Sequence, residues 1–412
     1  MLALFRPPQS NATPDTPLPY TASPWRLLWE DILLAFRSAS AIPGIFWPLM
    51  PYNSGDLDEL YPSPGNIGNI AFHLVLSLLQ IVFLVSIPVC IACMFPALWV
   101  GAYIAAFLWS NRILCNIFLN RGSHVLKSRV PEVEDPGHSH EHWIFINGIA
   151  TGQRWLQSNI DRLGYTFGRR IIGLHNPTAG LVFDIIQCII QRDFSYATPD
   201  VRDAYALVRV ALLDQKYTKV VLIVHSQGGI EGGLIADWLL DEIPQGLLRK
   251  LEIYTFANAA NHFNNPYRAL SEVHEDILKQ PIQRNQKANE EDLNTILHIE
   301  HYANSRDFVS VLGVLNFTSI PNRFMGRLFI RLGSGHMFNQ HYMDNMFTLG
   351  TDGKVLDSND FMDMEIDAPG SDTDVFNPPQ RLKVKDLSRL WLYRNGGSPE
   401  KPPEQLKPQN QI

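Results

Sequence analysis

Three side chains in this sequence stand in an order that could activate a nucleophile. Ser226 lies in "KVVLIVHSQGGIEGG" (219–233), Asp307 in "HIEHYANSRDFVS" and His336 in "RLGSGHMFNQHY". A serine hydroxyl is a weak nucleophile unless a base takes its proton, and an imidazole base works best when a carboxylate fixes its tautomer. The intervals of 81 and 29 residues leave room for a cap or helix in the first gap and a single strand in the second. His341 follows His336 by five residues and is a second candidate base. His336 has the better place, directly after a strand in a glycine-rich loop. Asp307 could instead pair with Arg306 or cap a turn, and His225 suits packing or hydrogen bonding more than reaction.

The elements around Ser226 must hold it on a sharp turn. A strand ending in His225, then Ser226, Gln227, Gly228, Gly229 and a helix, makes a junction so tight that residues two away from the serine need to be small. Gly228 meets that need on one side. On the other stands Val224, where glycine is usual, and its branched side chain is expected to crowd the turn. Gly229, Gly232 and Gly233 compensate by letting the helix approach the sheet closely. Val224 also keeps open a non-catalytic reading, in which a distorted junction serves a binding or scaffold protein.

Six compact apolar runs punctuate the chain from residue 142 onwards: "HWIFIN", "RRIIGLH", "KVVLIVH", "LEIYTFA", "ILHIEHYA" and "RLFIRLG". Near-continuous Val/Ile/Leu runs are what parallel strands buried on both faces produce. Stretches of helical length and period separate them, including 200–215 and 229–242. The expected fold class is therefore α/β, a mostly parallel sheet with helices on both faces. The expected division is an N-terminal region with an amphipathic helix (1–69), a membrane hairpin or span (70–119), a linker (120–140), the α/β domain (141–350) with an inserted segment at 264–292, and a C-terminal part (351–412). That last part reads as an acidic solvated loop, one helix over "RLKVKDLSRLWLYRN", and a disordered tail from Gly396.

From about 140 to 348 the order of Ser226, Asp307 and His336, the small residues and the H-S-Q-G-G sequence resemble the α/β-hydrolases, in particular the lipase-like serine esterases. The resemblance implies that Ser226 attacks an acyl carbonyl, His336 moves the proton and Asp307 orients the imidazole. It also implies an oxyanion hole built from the backbone N–H of Gln227, at a helix start, and of Ile149, in the loop "GIATG". The substrate expected is an ester of a lipid or another apolar acyl compound; transfer of the acyl group to an alcohol or amine would use the same site. Asn147, Asn176 and Asn258 end neighbouring strands, where they could line a pocket or cap loops.

No Asp, Glu, Lys or Arg occurs from Tyr61 to Asn111. The central 41 residues, "IAFHLVLSLLQIVFLVSIPVCIACMFPALWVGAYIAAFLWS", are about twice the length one helix needs to cross a bilayer. Pro88 and Pro96 are expected to kink or break helix there. A pair of membrane helices turning near 94–96, one span with a re-entrant piece, and a buried core helix all fit the pattern. Arg112, Arg121, Lys127 and Arg129 follow the apolar run, whereas 51–69 lack Lys and Arg, which places the following domain on the cytosolic side of an intracellular membrane. Upstream, "SPWRLLWEDILLAFR" reads as a helix with Ser23 at its N-cap and an apolar face of Trp25, Leu28, Trp29, Ile32, Leu33 and Phe36. That face suits the headgroup layer and equally suits packing on the protein body.

Composition narrows the remaining classes. The net charge of −7 and the lack of a Lys/Arg block argue against nucleic-acid binding. The start "MLALFRPPQSNATPD" has too short an apolar run for a secretory signal, so the sequons at Asn11 and Asn316 carry little weight. Cys90, Cys93, Cys115 and Cys188 match neither a disulfide framework nor a zinc site and read as buried free thiols. "HSHEH", with His138, His140 and His142, lacks a matching distant ligand, so no metal is expected, and without a phosphate loop or dinucleotide fingerprint no cofactor is expected either.

Overall fold

All six apolar runs are strands in the computed structural model, which describes residues 2–7, 19–131, 135–266, 295–320, 326–367 and 382–400. Nine strands form one sheet: β1 (Leu2–Arg6), β2 (Val125–Lys127), β3 (Glu141–Ile146), β4 (Ile171–Leu174), β5 (Lys219–His225), β6 (Leu251–Phe256), β7 (His298–Asn304), β8 (Arg327–Arg331) and β9 (Glu365–Asp367). Their order is β2-β4-β3-β5-β6-β7-β8-β1-β9. The pairs from β4 to β8 are all parallel, while β2 on β4 and β1 on β8 are antiparallel. The α/β class and the mostly parallel sheet are as the sequence suggested.

Side-chain alternation divides the central strands between two cores. Ile144, Ile146, Leu222, Val224 and Ile253 face one side, with Val208 of α6 (Pro199–Leu213) and Ile235 of α7 (Gly228–Glu242). Trp143, Phe145, Val221, Ile223 and Phe256 face the other, with Leu156 and Ile160 of α4 (Gln153–Phe167). Each fully buried side chain of this size contributes about 1.5–3 kcal/mol to burial energy, which makes these strands the rigid base of the molecule.

Several boundaries differ from the sequence reading. The 120–140 linker carries an edge strand, β2, and the 1–69 region supplies β1, whose Ala3 is fully buried. The acidic stretch adds β9 and buries Phe361 and Met362, because apolar residues among its carboxylates reach the second core. The single C-terminal helix is instead two short pieces, Val384–Leu387 and Leu390–Gly396. Ser388, the C-cap of the first piece, has extended backbone (ψ 117°) that breaks the helix, and its Oγ accepts from the Trp391 N–H at 3.1 Å. Residues 396–400 are held, since Gly397 O accepts from Arg169 and Glu400 pairs with Lys219 and Arg389. Residues 267–294 of the inserted segment, 368–381 and 401–412 lie outside the described residues, as does Asn11.

The apolar region forms two helices, α2 (Pro64–Ala92) and α3 (Ala97–Phe118), both long and apolar enough to cross a membrane. Phe83 stacks on Phe107 at 3.9 Å and Phe72 meets Phe118 at 4.9 Å, so the pair is an antiparallel hairpin. Only 17% and 11% of their apolar windows are buried, unlike the core helix of a soluble protein. Pro88 does not end α2, because its missing N–H removes one backbone bond while the flanking turns persist; Pro96 does mark the start of α3. The four thiols are free, yet Cys93 is exposed and Cys90 half-buried at the hairpin turn, so not all are buried as expected. The upstream helix is α1 (Pro24–Arg37), with Ser23 at its N-cap and no residue fully buried.

Val224 does not distort the strand–helix junction, because α7 has no side chain opposite it. A Cβ on Gly232 would lie 3.2 Å from Val224 Cγ1. Gly232→Ala should therefore lower the unfolding free energy by about 1–3 kcal/mol through overpacking, and most of that loss should vanish in a Val224→Ala background. A double-mutant cycle of denaturant midpoints measures the coupling, and strictly additive losses would contradict this contact.

Candidate active site

Ser226, Asp307 and His336 converge at the C-terminal edge of the sheet, just beyond β5, β7 and β8. Ser226 has φ +58°, a left-handed conformation that costs an L-residue about 1–2 kcal/mol. Hydrogen bonds on both sides fix it: its N–H donates to Phe256 O at 3.0 Å, and its carbonyl accepts from Gly229 at 2.9 Å and Ala259 at 3.1 Å. Two close approaches require glycine. A Cβ on Gly148 would lie 2.6 Å from Ser226 Cβ, and one on Gly228 would lie 2.7 Å from Ile146 O.

His336 joins the other two residues. Its Nδ1–H donates to Asp307 Oδ2 at 3.0 Å, which leaves Nε2 as an acceptor 3.0 Å from Ser226 Oγ. Asp307 is completely buried. Burial pushes its carboxyl upward, but the His336 charge and the hydrogen bonds from His336, Tyr342 and Ser310 outweigh that and hold it below its ordinary value. Tyr342 OH donates to Oδ2 at 2.9 Å, Ser310 Oγ to the same oxygen at 3.0 Å, and the Val309 N–H to Oδ1 at 3.0 Å. A buried carboxylate so heavily donated to stays ionised and can stabilise an imidazolium. Asp307 thus both binds His336 and caps the short helix Phe308–Leu312; it makes no pair with Arg306.

The competing histidines have other partners. His341 Nε2–H donates to Pro48 O at 2.7 Å, and its Nδ1 accepts from the Met337 N–H at 3.0 Å. Burial drives it down to about 4, so it is a neutral structural group away from Ser226. His225 Nε2–H donates to His336 O at 2.8 Å, and burial together with the His336 charge drives it down to about 3. Its role is to fix the backbone of the His336 loop.

Gln227 caps the start of α7, directly after Ser226. Ile149 lies in the loop after β3, whose Gly148 abuts Ser226. Neither Gln227 N–H nor Ile149 N–H has a hydrogen-bond acceptor among the described residues. Asparagines brace both segments. Asn147 Oδ1 accepts from Asn176 N at 3.0 Å and its Nδ2 donates to Gly148 O at 2.9 Å, while Asn176 Nδ2 donates to Gln227 Oε1 and Glu231 Oε1 at 2.8 Å each. Asn258 Oδ1 accepts from Ala260 N at 2.8 Å. All three asparagines cap and tie loops. Asp184 of α5 (Leu181–Phe194) accepts from Ala150 N at 2.9 Å and so fixes the residue next to Ile149.

Sequence reasoning missed Tyr342 and Ser310 on the carboxylate, and it missed the N-terminal segment that lies on the site. Gly335 N donates to Gly44 O at 2.7 Å and His336 N to Ile45 O at 3.1 Å. Gln340 Nε2 donates to Leu49 O at 2.7 Å, and Glu59 accepts from Asn339 N at 2.9 Å. Residues 44–59 therefore clamp the His336 loop, while Ser226 and His336 are only 3% and 7% exposed. A cavity of about 270 Å³ lies under this clamp, lined by Trp47, Met50, Arg331 and His341 among others, and Ser226 is not part of its wall. His138 and His140 sit beside Glu141, and His142 lies against Tyr217. Among the described residues no group of three or more His, Cys, Asp or Glu could hold a metal.

The arrangement can remove the Ser226 proton and store it on an imidazole held between two acceptors. Tyr342→Phe takes one donor from the Asp307 carboxylate; at roughly 1.5 kcal/mol or more for a hydrogen bond to a charge, it should slow phosphonylation of Ser226 about tenfold. Asp307→Asn should slow it by about 10⁴ through the wrong tautomer. Pseudo-first-order labelling rates test both, and an unchanged rate in Asp307→Asn would remove Asp307 from the site. No protein-family model matches the chain, and no curated protein matches it.

Proposed function

We propose that the protein is a membrane-attached serine hydrolase of the α/β-hydrolase type that cleaves carboxylic esters with an apolar acyl part. One observation carries the reading: His336 is hydrogen-bonded at 3.0 Å to Ser226 Oγ and at 3.0 Å to a buried, ionised Asp307. Ser226 Oγ attacks the ester carbonyl carbon as its proton passes to His336 Nε2. The oxyanion is received by the free N–H groups of Gln227 and Ile149, the first at the positive end of α7. Collapse of the tetrahedral adduct expels the alcohol, which takes the proton from Nε2. Water then gives a proton to Nε2 and attacks the acyl-enzyme, and Ser226 Oγ recovers that proton as the acid leaves.

The lipid or apolar ester preference draws on the hairpin beside the site, which keeps the enzyme where such substrates dissolve. The basic residues after the hairpin favour a cytosolic-facing domain on an intracellular membrane, with both chain ends on that side. The non-catalytic scaffold reading draws on a crowded junction at Val224; the room that Gly232 leaves for this side chain supports the enzyme reading.

A fluorophosphonate probe should label the wild-type chain and fail on Ser226→Ala and His336→Ala. With p-nitrophenyl esters, kcat/KM should rise from the acetate to the octanoate. Absence of labelling in folded wild-type protein would reject the enzyme reading, and a preference for acetate would reject the apolar substrate class.

A further inference from the structure

The protein body grips only the base of the α2–α3 hairpin. Gln80 and Asn111 both donate to Ala179 O, at 2.6 and 2.9 Å. Phe83 and Phe107 each meet Phe183 of α5 edge-on at 6.2 Å. No residue of α2 beyond Phe83, and none of α3 before Asn111, is buried. The free arm of α2 runs from Phe83 to Ala92, about 14 Å at the rise of an α-helix. Arg112 of α3 is exposed and charged, which sets the level where that helix leaves water. From Arg112 back to Ala97 is about 22 Å, still short of the roughly 30 Å hydrocarbon core of a bilayer.

The turn is suited to a medium without water. Residues 93–99, "CMFPALW", carry no charge, and Met94 is 90% exposed. The N–H groups of Cys93, Met94 and Phe95 are bonded to Val89 O, Ile91 O and Cys90 O, and Pro96 has none; the N–H groups of Ala97 and Leu98, in the first turn of α3, have no acceptor among the described residues. In hydrocarbon an unsatisfied backbone donor costs several kcal/mol, so a turn that stays in lipid gains by satisfying most of its own. A turn emerging into the far headgroups would have no such need and would gain from polar side chains.

At the base, apolar surface continues sideways onto the body. α5 exposes Ile185, Ile186, Ile190 and Phe194. Trp25 of α1 packs edge-on against Phe194 at 5.4 Å, and Asp31 of α1 is paired with Arg192 of α5. Trp25, Trp29 and Phe36 form the outward face of α1. Tryptophan at the edge of an apolar surface suits the headgroup boundary, where interfacial helices lie about 5–10 Å deep.

We infer that the protein enters the membrane from one side only: the α2–α3 hairpin dips into the hydrocarbon and turns back within it without reaching the far headgroups, and the outer faces of α5 and α1 rest in the headgroup boundary of the leaflet it enters. The inference rests on reading the hairpin as the membrane anchor, and commits to a lipid leaflet as the one occupant of this surface. The ester would then reach the site from the leaflet that the hairpin enters, on the side where α5 fixes the loop carrying Ile149.

Cys93, exposed at the turn, supplies the test in the full chain. The protein is reconstituted into sealed phosphatidylcholine vesicles with a membrane-impermeant maleimide both outside and trapped inside, and alkylated cysteines are mapped by mass spectrometry. Gln215→Cys, on the exposed surface of the body, reports that water-facing thiols react. Cys93 should remain unmodified until detergent is added. A nitrobenzoxadiazole dye attached to Cys93 before reconstitution should be quenched more by nitroxide lipids labelled at the acyl-chain end than at the headgroup. Cys93 alkylation in intact vesicles, or stronger quenching from the headgroup, would overturn the inference, with the protein still bound if the hairpin spans. Failure of the protein to float with the vesicles would instead overturn the anchor reading itself. The reaction of Ser226 with a fluorophosphonate is independent of all three outcomes.

Discussion

The left-handed backbone of Ser226 is the constraint on which the rest of the site depends. A strained residue persists only where its surroundings over-determine it, and here they do. Strand β6 binds its N–H, the start of α7 binds its carbonyl, and Gly148 and Gly228 leave the volume that a side chain would fill. The same junction puts the hydroxyl above the sheet edge and starts α7 at the neighbouring residue, so nucleophile and helix dipole come from a single backbone turn. Val224 belongs to this set as well: it fills the core beneath the turn, in the space left by Gly232.

Around that turn, partners arrive from distant parts of the chain. His336 hangs in a loop that is bonded on one side to His225 and on the other to residues 44–49. The N-terminal segment thus has two attachments, to the His336 loop at its end and, through α1, to α5 at its start. α5 in turn meets the hairpin at Phe183 and the Ile149 loop at Asp184. The apolar surface and the proposed chemistry share these contacts, so the hairpin and the site are parts of one packed unit.

Much of this was legible in the sequence, for physical reasons. Parallel strands buried on both faces leave continuous apolar runs, and functional residues follow their C-terminal ends, so both the sheet and the order Ser226, Asp307, His336 could be read from local pattern. The hairpin was legible because a stretch without Asp, Glu, Lys or Arg from Tyr61 to Asn111 leaves room for two long apolar helices. What escaped depended on contacts between distant residues. "LALFR" is too short to declare itself as a strand before its partner β8 is known. Tyr342 carries no local sign that its hydroxyl will meet Asp307, and nothing near Gly44 reports that its carbonyl receives Gly335. The docked residues 396–400 were missed for the same reason, since Arg169, Lys219 and Arg389 reach them only in three dimensions.

Capture of the acyl-enzyme decides whether Ser226 is the nucleophile. The protein is mixed with p-nitrophenyl octanoate, quenched in acid within milliseconds and digested, and the peptide 220–249 is weighed. An added octanoyl group should appear on Ser226, at most one per chain, with almost none in His336→Ala. An unmodified peptide under rapid quench, or an octanoyl group on another side chain, would contradict that role.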